Sequence, residues 1–565
     1  MANIMNMKQI RNNVSRNGFD LSFKKNFTAK AGELLPVMVK EVLPGDVFDI
    51  NLSTFTRTQP INTAAFARMR EYYDFFFVPY NLLWNKADTV LTQMYDNPQH
   101  ASSLDPGQTF QLSGYMPYVT TQFLSKYVYG MSLPLSAGFA QTTNYFGYTR
   151  GPLSCKLLEY LGYGNYSYFT SSEGEVLPDS DPLSANLNLN IFSLLAYQKI
   201  YSDFYRDSQW EKSSPYTYNV DYLTGISQTD LNIGAILESS SSVLTRFFNN
   251  YNFFDLRYCN WQKDLFHGVL PQAQYGETSV YSIPSVGVVN DETNQVEGAA
   301  QLNILMLRQY EFLQKWKEIA QSGNKDYKDQ IQKHWNVSVG DYASEMCQYL
   351  GGISNNIDIN EVVNTNITSD NAADIAGKGT GVARGNTRFD SKGKYGVLMC
   401  IYHCLPVLDY TTDLVDPMHT KINATDYAIP ELDKVGMQGV PLVWLMNTRS
   451  SLFNQPDLIT GYAPRYIEYK TSIDSSVGAF KTSLNSWVMN YSNESLISQL
   501  LGDDLPTDNP SGSIVNYTTF KVNPNSVDPI FAVAADSTVD TDQFLCSSFF
   551  DIKAVRNLDT DGLPY

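Results

Sequence analysis

Residues 33–57, ELLPVMVKEVLPGDVFDINLSTFTR, decide the fold class. Alternation shows at Val37 and Val39, the pair Pro44–Gly45 punctuates, and alternation resumes at Val47 and Asp49. A period of two sends successive side chains to opposite faces of a strand, and Pro-Gly marks a turn, so the segment reads as two strands tightly joined. Residues 72–79, YYDFFFVP, are apolar on both faces and read as a strand buried on both sides. Strand grammar returns after Lys394 in YGVLMCIYHCLPVLDY, then in RYIEYKTSI, and near the end in PIFAVAA and CSSFFDIKAV. Strands at both ends with other material between predict a mainly β protein, a sandwich closed by its N- and C-terminal segments and interrupted by long excursions.

Two excursions have helical spacing, residues 190–206 and 302–335. In the latter, Leu302, Leu305, Phe312, Trp316 and Ile319 share a stripe, which predicts packing against a core. Residues 96–185 are rich in Ser, Gly, Tyr and Pro without a sustained period and read as the main irregular insertion. The chain has 565 residues, so it builds either several cores or one core with large insertions. Its 35 Gly and 25 Pro are an ordinary share and 43% of it is hydrophobic, which excludes collagen-like and disordered chains. Only 17% is charged, against a typical ~25%, while 38 Tyr and 30 Phe suit extensive protein interfaces.

A net charge of −18 excludes a surface that is basic throughout, so any nucleic-acid contact must be local. The first 30 residues are the exception, with six basic residues against the single acid Asp20. This N-terminal arm, residues 1–30, reads as mobile until a partner orders it. Its candidate phosphate contacts are Lys8, Arg11, Arg16, Lys24 and Lys25. The rest, residues 31–565, reads as the body of the protein.

Nothing in the sequence sets up catalysis, and no cofactor is expected. Cys400, His403 and Cys404 look like a metal cluster, but on a strand Cys400 and Cys404 lie ~13 Å apart with His403 on the other face, too far for zinc at ~2.3 Å. Residues 377–385, GKGTGVARG, lack the Lys-hydroxyl pair of a phosphate loop and read as a flexible loop. Asp536, Asp540 and Asp542 read as a solvated loop, although paired carboxylates would also suit a glycoside hydrolase. The six scattered cysteines read as reduced thiols. The N-terminus lacks the features of a secretory signal, and no run is long enough to span a bilayer, so the expectation is a protein made in a reducing cytoplasm without membrane insertion.

Several stretches, in order along nearly the whole chain, resemble the major capsid protein of the Microviridae, more closely its gokushovirus-like branch. They are FDLSFKKNFTAKAGELLPVMVKEVLPGDVFDI (19–50), MREYYDFFFVPYNLLWNKAD (69–88), SLLAYQKIYSDFYRDSQW (193–210), LRYCNWQKDLFHGVLPQAQYG (256–276), ITGYAPRYIEYKTSIDSSVGAF (459–480) and DPIFAVAADSTVDTDQFLCSSFFDIKAVRNL (528–558). The resemblance implies a single viral jelly-roll β-sandwich with long inserted loops, self-assembled through pentamers into a T=1 icosahedral shell around circular single-stranded DNA. It also implies an internal scaffolding protein, a small basic DNA-packaging protein and a host surface receptor as partners, assembly in the bacterial cytoplasm, and a virion location. The interval 277–301, long and variable in that branch, is short here, which makes 96–185 the candidate for outer decoration. The competing expectation is a β-sandwich carbohydrate-binding or glycoside-hydrolysing protein.

Overall fold

A computed structural model of the chain describes residues 15–92, 116–124, 142–164, 187–224, 232–233, 252–273, 304–363, 375–433, 436–446, 459–492, 515, 517–531 and 542–560. Nine strands form its main sheet: β1 (Asn17–Asp20), β2 (Phe23–Ala29), β3 (Leu35–Val42), β4 (Val47–Thr58), β5 (Met69–Pro79), β6 (Gln348–Val363), β7 (Ile375–Asp390), β8 (Gly396–Pro406) and β9 (Phe544–Arg556). The order across the sheet is β1-β9-β4-β7-β6-β5-β8-β3, with β2 also paired to β9, and neighbours run antiparallel. The opening stretch forms β3 and β4. Between them Gly45 takes φ +88°, which favours glycine, and the Asp46 carboxylate accepts the Leu43 N–H and pairs with Arg556.

The sheet curls over on itself through β6. Residues of β6 up to Ile357 pair with β5, and those from Asp358 onward pair with β7. The two halves therefore face each other, and their inner rows meet: Thr56 on β4 donates to Glu71 on β5 at 2.6 Å, the Tyr73 and Ser548 hydroxyls lie 3.1 Å apart, and the Phe77 and Phe389 rings are 4.6 Å apart. On β4 the alternation is complete, with Phe48, Ile50, Leu52, Thr54, Thr56 and Thr58 inside and their odd-numbered neighbours outside. This is the jelly-roll-like sandwich that the strand pattern predicts. β9 lies between β1/β2 and β4, so the chain's two end segments close it side by side.

Outside the β5/β8 half lies a second layer. Helix α1 (Arg150–Leu161) buries Cys155, Leu157, Leu158 and Leu161, and α2 (Phe192–Ile200), continued by a π turn over Tyr201–Tyr205, buries most of its side chains. Phe204 and Tyr205 pack on Phe76, so residues 75–78 are buried on both faces as their composition predicts. Helices α3 (Ile304–Gln321) and α4 (Tyr327–Trp335) form an outlying hairpin. Among the described residues no helix is long and apolar enough to cross a membrane.

Four expectations need correction. The arm does not extend to residue 30: from Asn17 the chain is in β1 and β2, where Phe27 and Ala29 point inward, an alternation hidden in the sequence by the crowding Lys and Asn residues. Residues 377–385 are strand rather than loop. Gly377, Gly379 and Gly381 are needed there because a Cβ at each would run into the Thr63 carbonyl, Thr58 and Glu71 respectively. In the α3 stripe Phe312 and Trp316 are exposed rather than packed on a core, and Ile319 is half-buried. Finally, the 96–185 stretch, an irregular insertion with short elements of its own, is not all outside: α1 and residues 119–124 reach the core, the periodicity of α1 being diluted by the small buried residues Gly151 and Ser154.

Candidate assembly and nucleic-acid surfaces

Among the basic residues singled out near the N-terminus, the described ones, Arg16, Lys24 and Lys25, have separate environments. Lys8 and Arg11 lie outside the described residues. Arg16 is spent on the backbone, donating to the Gly45 carbonyl at 2.7 Å. Lys24 is exposed on the outer face of β2. Lys25 does not fit a phosphate contact: its ammonium donates to the Tyr160 carbonyl at 2.9 Å and sits 5.3 Å from the centre of the Tyr160 ring. Burial brings its pKa down to about 8, so its charge is disfavoured where a phosphate partner would want it.

The residues weighed for chemistry are structural. Cys400 and Cys404 share the inner face of β8, and His403 faces the other way, stacked on Tyr72 at 4.8 Å. Among the described residues no cluster of His, Cys, Asp and Glu could hold a metal ion, and all six cysteines are buried free thiols. Asp536 and Asp540 lie outside the described residues. Asp542 is not solvated; it is buried and pairs with Lys156 of α1 at 2.9 Å, and the same ammonium reaches Glu33 at 2.8 Å. One ammonium thus ties the inserted helix to segments near both ends of the chain. No local pattern signals this link, because the partners stand 123 and 386 positions away.

A second polar knot was also illegible in the sequence. The Tyr410 hydroxyl lies 2.6 Å from Asp264 and 2.8 Å from His267 Nδ1. Burial pushes the Asp264 carboxyl up, but the His267 ring and the Tyr410 hydroxyl outweigh it and bring its pKa down to about 2. Asp264 accepts the backbone N–H groups of Phe266 and His267 as well, so the knot fastens a turn rather than presenting a nucleophile.

The surface is more informative. On the α3–α4 hairpin Phe312, Leu313, Trp316 and Trp335 are exposed, Trp335 by 74%, and α4 buries none of its side chains. A comparable inversion occurs where residues 416–432 and 467–487 run as short 3-10 turns, most of which bury no side chain. There Ile422 is 86% exposed and Val477 70%, while one ion pair lies beneath: Lys421 pairs with Glu468 at 2.7 Å with both side chains almost wholly covered. Asp416 and Asn423 cap two of the turns. These segments are held by polar contacts and turn apolar side chains to solvent, the composition of a surface that another chain covers.

Comparison with known proteins agrees with this architecture. The chain is 23% identical to the capsid protein VP1 of Chlamydia phage 1, over 98% of this chain and 96% of that one. It is 21% identical to the capsid protein VP1 of Bdellovibrio phage phiMH2K, over 84% of each. The family described as Capsid protein (F protein) matches residues 8–118 and 294–565, the two parts that supply every strand of the main sheet. With its curled antiparallel sheet, closed ends and outward apolar segments, the chain belongs to the phage capsid protein (F protein) family.

Proposed function

We propose that this chain is the major capsid protein of a gokushovirus-like member of the Microviridae and assembles through pentamers into a T=1 icosahedral shell around circular single-stranded DNA. The observation that carries the reading is the set of ordered elements that turn apolar side chains outward, on the α3–α4 hairpin and on residues 416–432 and 467–487, in a chain of this family. A shell subunit needs such surfaces on several sides, because each contact with a symmetry mate uses a different patch and rings close only when the rotations close. The role is structural rather than enzymatic. Nothing in the geometry favours the carbohydrate-active reading, since the one described carboxylate of its candidate set is committed to Lys156.

The remaining basic arm, residues 1–14, carries Lys8 and Arg11 toward the enclosed strand. Because the whole chain is acidic, most of the genome's charge is neutralised by a small basic packaging protein, and an internal scaffolding protein guides closure. The parts of 96–185 other than residues 116–124 and 142–164, which pack on the body through side chains such as Val119, Phe123, Leu124 and those of α1, form the outer decoration that meets a host surface receptor. Assembly takes place in the bacterial cytoplasm, and the mature location is the virion. Electron microscopy and sedimentation of the purified protein test the reading: uniform icosahedral particles support it, and a small oligomer under all assembly conditions overturns it.

A further inference from the structure

Lys521 is 1% exposed. It follows a 3-10 turn (Tyr517–Phe520) and lies opposite Asn260 in a short antiparallel bridge, in which the Trp261 N–H donates to the Phe520 carbonyl at 2.8 Å and the Val522 N–H to the Cys259 carbonyl at 2.9 Å. These two bonds flank the Asn260–Lys521 pair rather than join it. That is the closer kind of cross-strand pair, with the two side chains next to each other on one face. At the end of the π turn the Tyr205 carbonyl accepts from both side chains, from Asn260 Nδ2 at 3.2 Å and from Lys521 Nζ at 3.4 Å. The amide and the amine therefore meet at one oxygen.

A third group completes the site. Glu211 Oε2 lies 3.4 Å from Lys521 Nζ and accepts the Tyr201 hydroxyl at 2.7 Å. Aromatic rings close around them: the Tyr201 ring centre is 4.7 Å from the Lys521 ammonium, and Trp210 packs on Phe520 at 4.8 Å. Burial disfavours the ammonium and brings the pKa of Lys521 below its ordinary value, with Glu211 pulling the other way. A lysine amine desolvated among apolar groups, beside a carboxylate that can hold its proton, is an activated nucleophile. A plain ion pair accounts for Lys521 and Glu211, but it leaves the buried Asn260 Oδ1 without a hydrogen-bond partner.

We propose that Lys521 and Asn260 join in an isopeptide bond, formed once per chain after folding, with Glu211 as the proton carrier. The ammonium gives a proton to Glu211, the amine nitrogen adds to Asn260 Cγ, and the Cγ–Nδ2 bond breaks. One amine proton goes to the departing nitrogen, ammonia leaves, and the proton held on Glu211 goes with it as ammonium. No oxidant or cofactor is consumed. The approach is by side-chain rotation, since both nitrogens already share one acceptor. The bond staples the segment around Asn260 to the C-terminal segment around Lys521, and it does not depend on the functional reading above.

The test is intact-mass spectrometry of the purified full-length protein followed by tryptic peptide mapping. The expected result is a chain lighter by one ammonia, about 17 Da, and a branched peptide joining the fragments that contain Asn260 and Lys521, uncleaved after Lys521. The branched peptide decides, because cyclisation at Asn17–Gly18 also releases ammonia. Asn260→Ala and Lys521→Arg should each abolish it. Glu211→Gln keeps the shape of the side chain without its proton transfer, and should slow the appearance of the branched peptide by about 100-fold or more. Separate peptides in the wild-type protein, with Asn260 and Lys521 both unmodified, overturn the proposal and leave an ion pair. A branched peptide that forms equally fast in Glu211→Gln overturns the part given to Glu211.

Discussion

At the residue scale, the molecule depends on a few polar side chains placed where burial makes them costly. Lys156 holds Glu33 and Asp542 in an almost dry pocket, where the side chains of both carboxylates are 5% exposed or less. Lys156→Met leaves two buried carboxylates without their cation, and removing one partner of such a set costs about 3 kcal/mol or more. The expected outcome is a matching drop in unfolding free energy of dissociated subunits in urea. Lys156→Met combined with Glu33→Gln and Asp542→Asn should recover most of it.

His403 gives a pH signature. Buried between the Tyr72 and Tyr205 rings, it stays neutral in the folded chain down to about 3, because burial disfavours the imidazolium. In the unfolded chain it takes up its proton near 6.5. The unfolded state therefore binds more protons between these values, and stability falls as pH drops through this window, by up to about 1.4 kcal/mol per pH unit. His403→Phe keeps the stack on Tyr72 and removes this dependence. Urea midpoints at pH 4.5 and 7.5 should lie closer together in the variant than in the wild type, and an unchanged gap would assign the acid sensitivity to other groups. The nearby Asp74 carboxyl, pushed up by burial, titrates in both proteins and so drops out of the comparison to first order.

At the element scale, β5 is the strand on which both layers depend. Phe75 faces the sandwich and Phe76 faces the helical layer, in van der Waals range of Phe204 and Tyr205. Phe76→Asp puts an unpaired carboxylate where no water reaches, a cost of several kcal/mol. The variant should appear as insoluble protein at 37 °C, whereas soluble, folded subunits that fail to assemble would mean that this layer opens in solution. The α3–α4 hairpin behaves in the opposite way. Trp316 and Trp335 are exposed in the single chain, so Trp316→Asp with Trp335→Asp should leave the subunit's melting temperature within a few degrees of wild type while abolishing shells in negative-stain images.

At the scale of the whole molecule, the strands nearest the two ends of the chain, β1, β2 and β9, pair in one region of the sheet. Deleting residues 1–14 leaves the described contacts of β1 and β2 in place, which begin at Ser15 and Arg16. The truncated protein should still form closed particles but package less DNA, with the salt dependence of retention flatter by ~0.7 for each of Lys8 and Arg11. Full DNA content with an unchanged slope would mean that the arm is not a DNA contact. The decoration is tested on the same particles by limited proteolysis, with early nicks expected in the parts of 96–185 outside residues 116–124 and 142–164 and protection within those two segments, whose side chains pack on the body.

The sequence by itself determined the class of the fold, the strands β3, β4, β5 and β8, and the closure of the sandwich by both ends, because alternation along a strand is a local property set by which face must leave water. It also determined that Cys400 and Cys404 share one face of a strand and His403 takes the other, since alternation alone separates them. Only the tertiary structure decided the rest. Glycine in residues 377–385 marks a strand because Thr58, Glu71 and the Thr63 carbonyl occupy the space where its side chains would stand, a condition written in other segments. Lys25 and Asp542 lost their expected exposure for the same reason, each being covered by an element inserted more than a hundred residues away. An apolar stripe such as that of α3 is identical in sequence whether it meets its own core or another chain, and only the position of the helix outside the sandwich shows that its own core does not cover it.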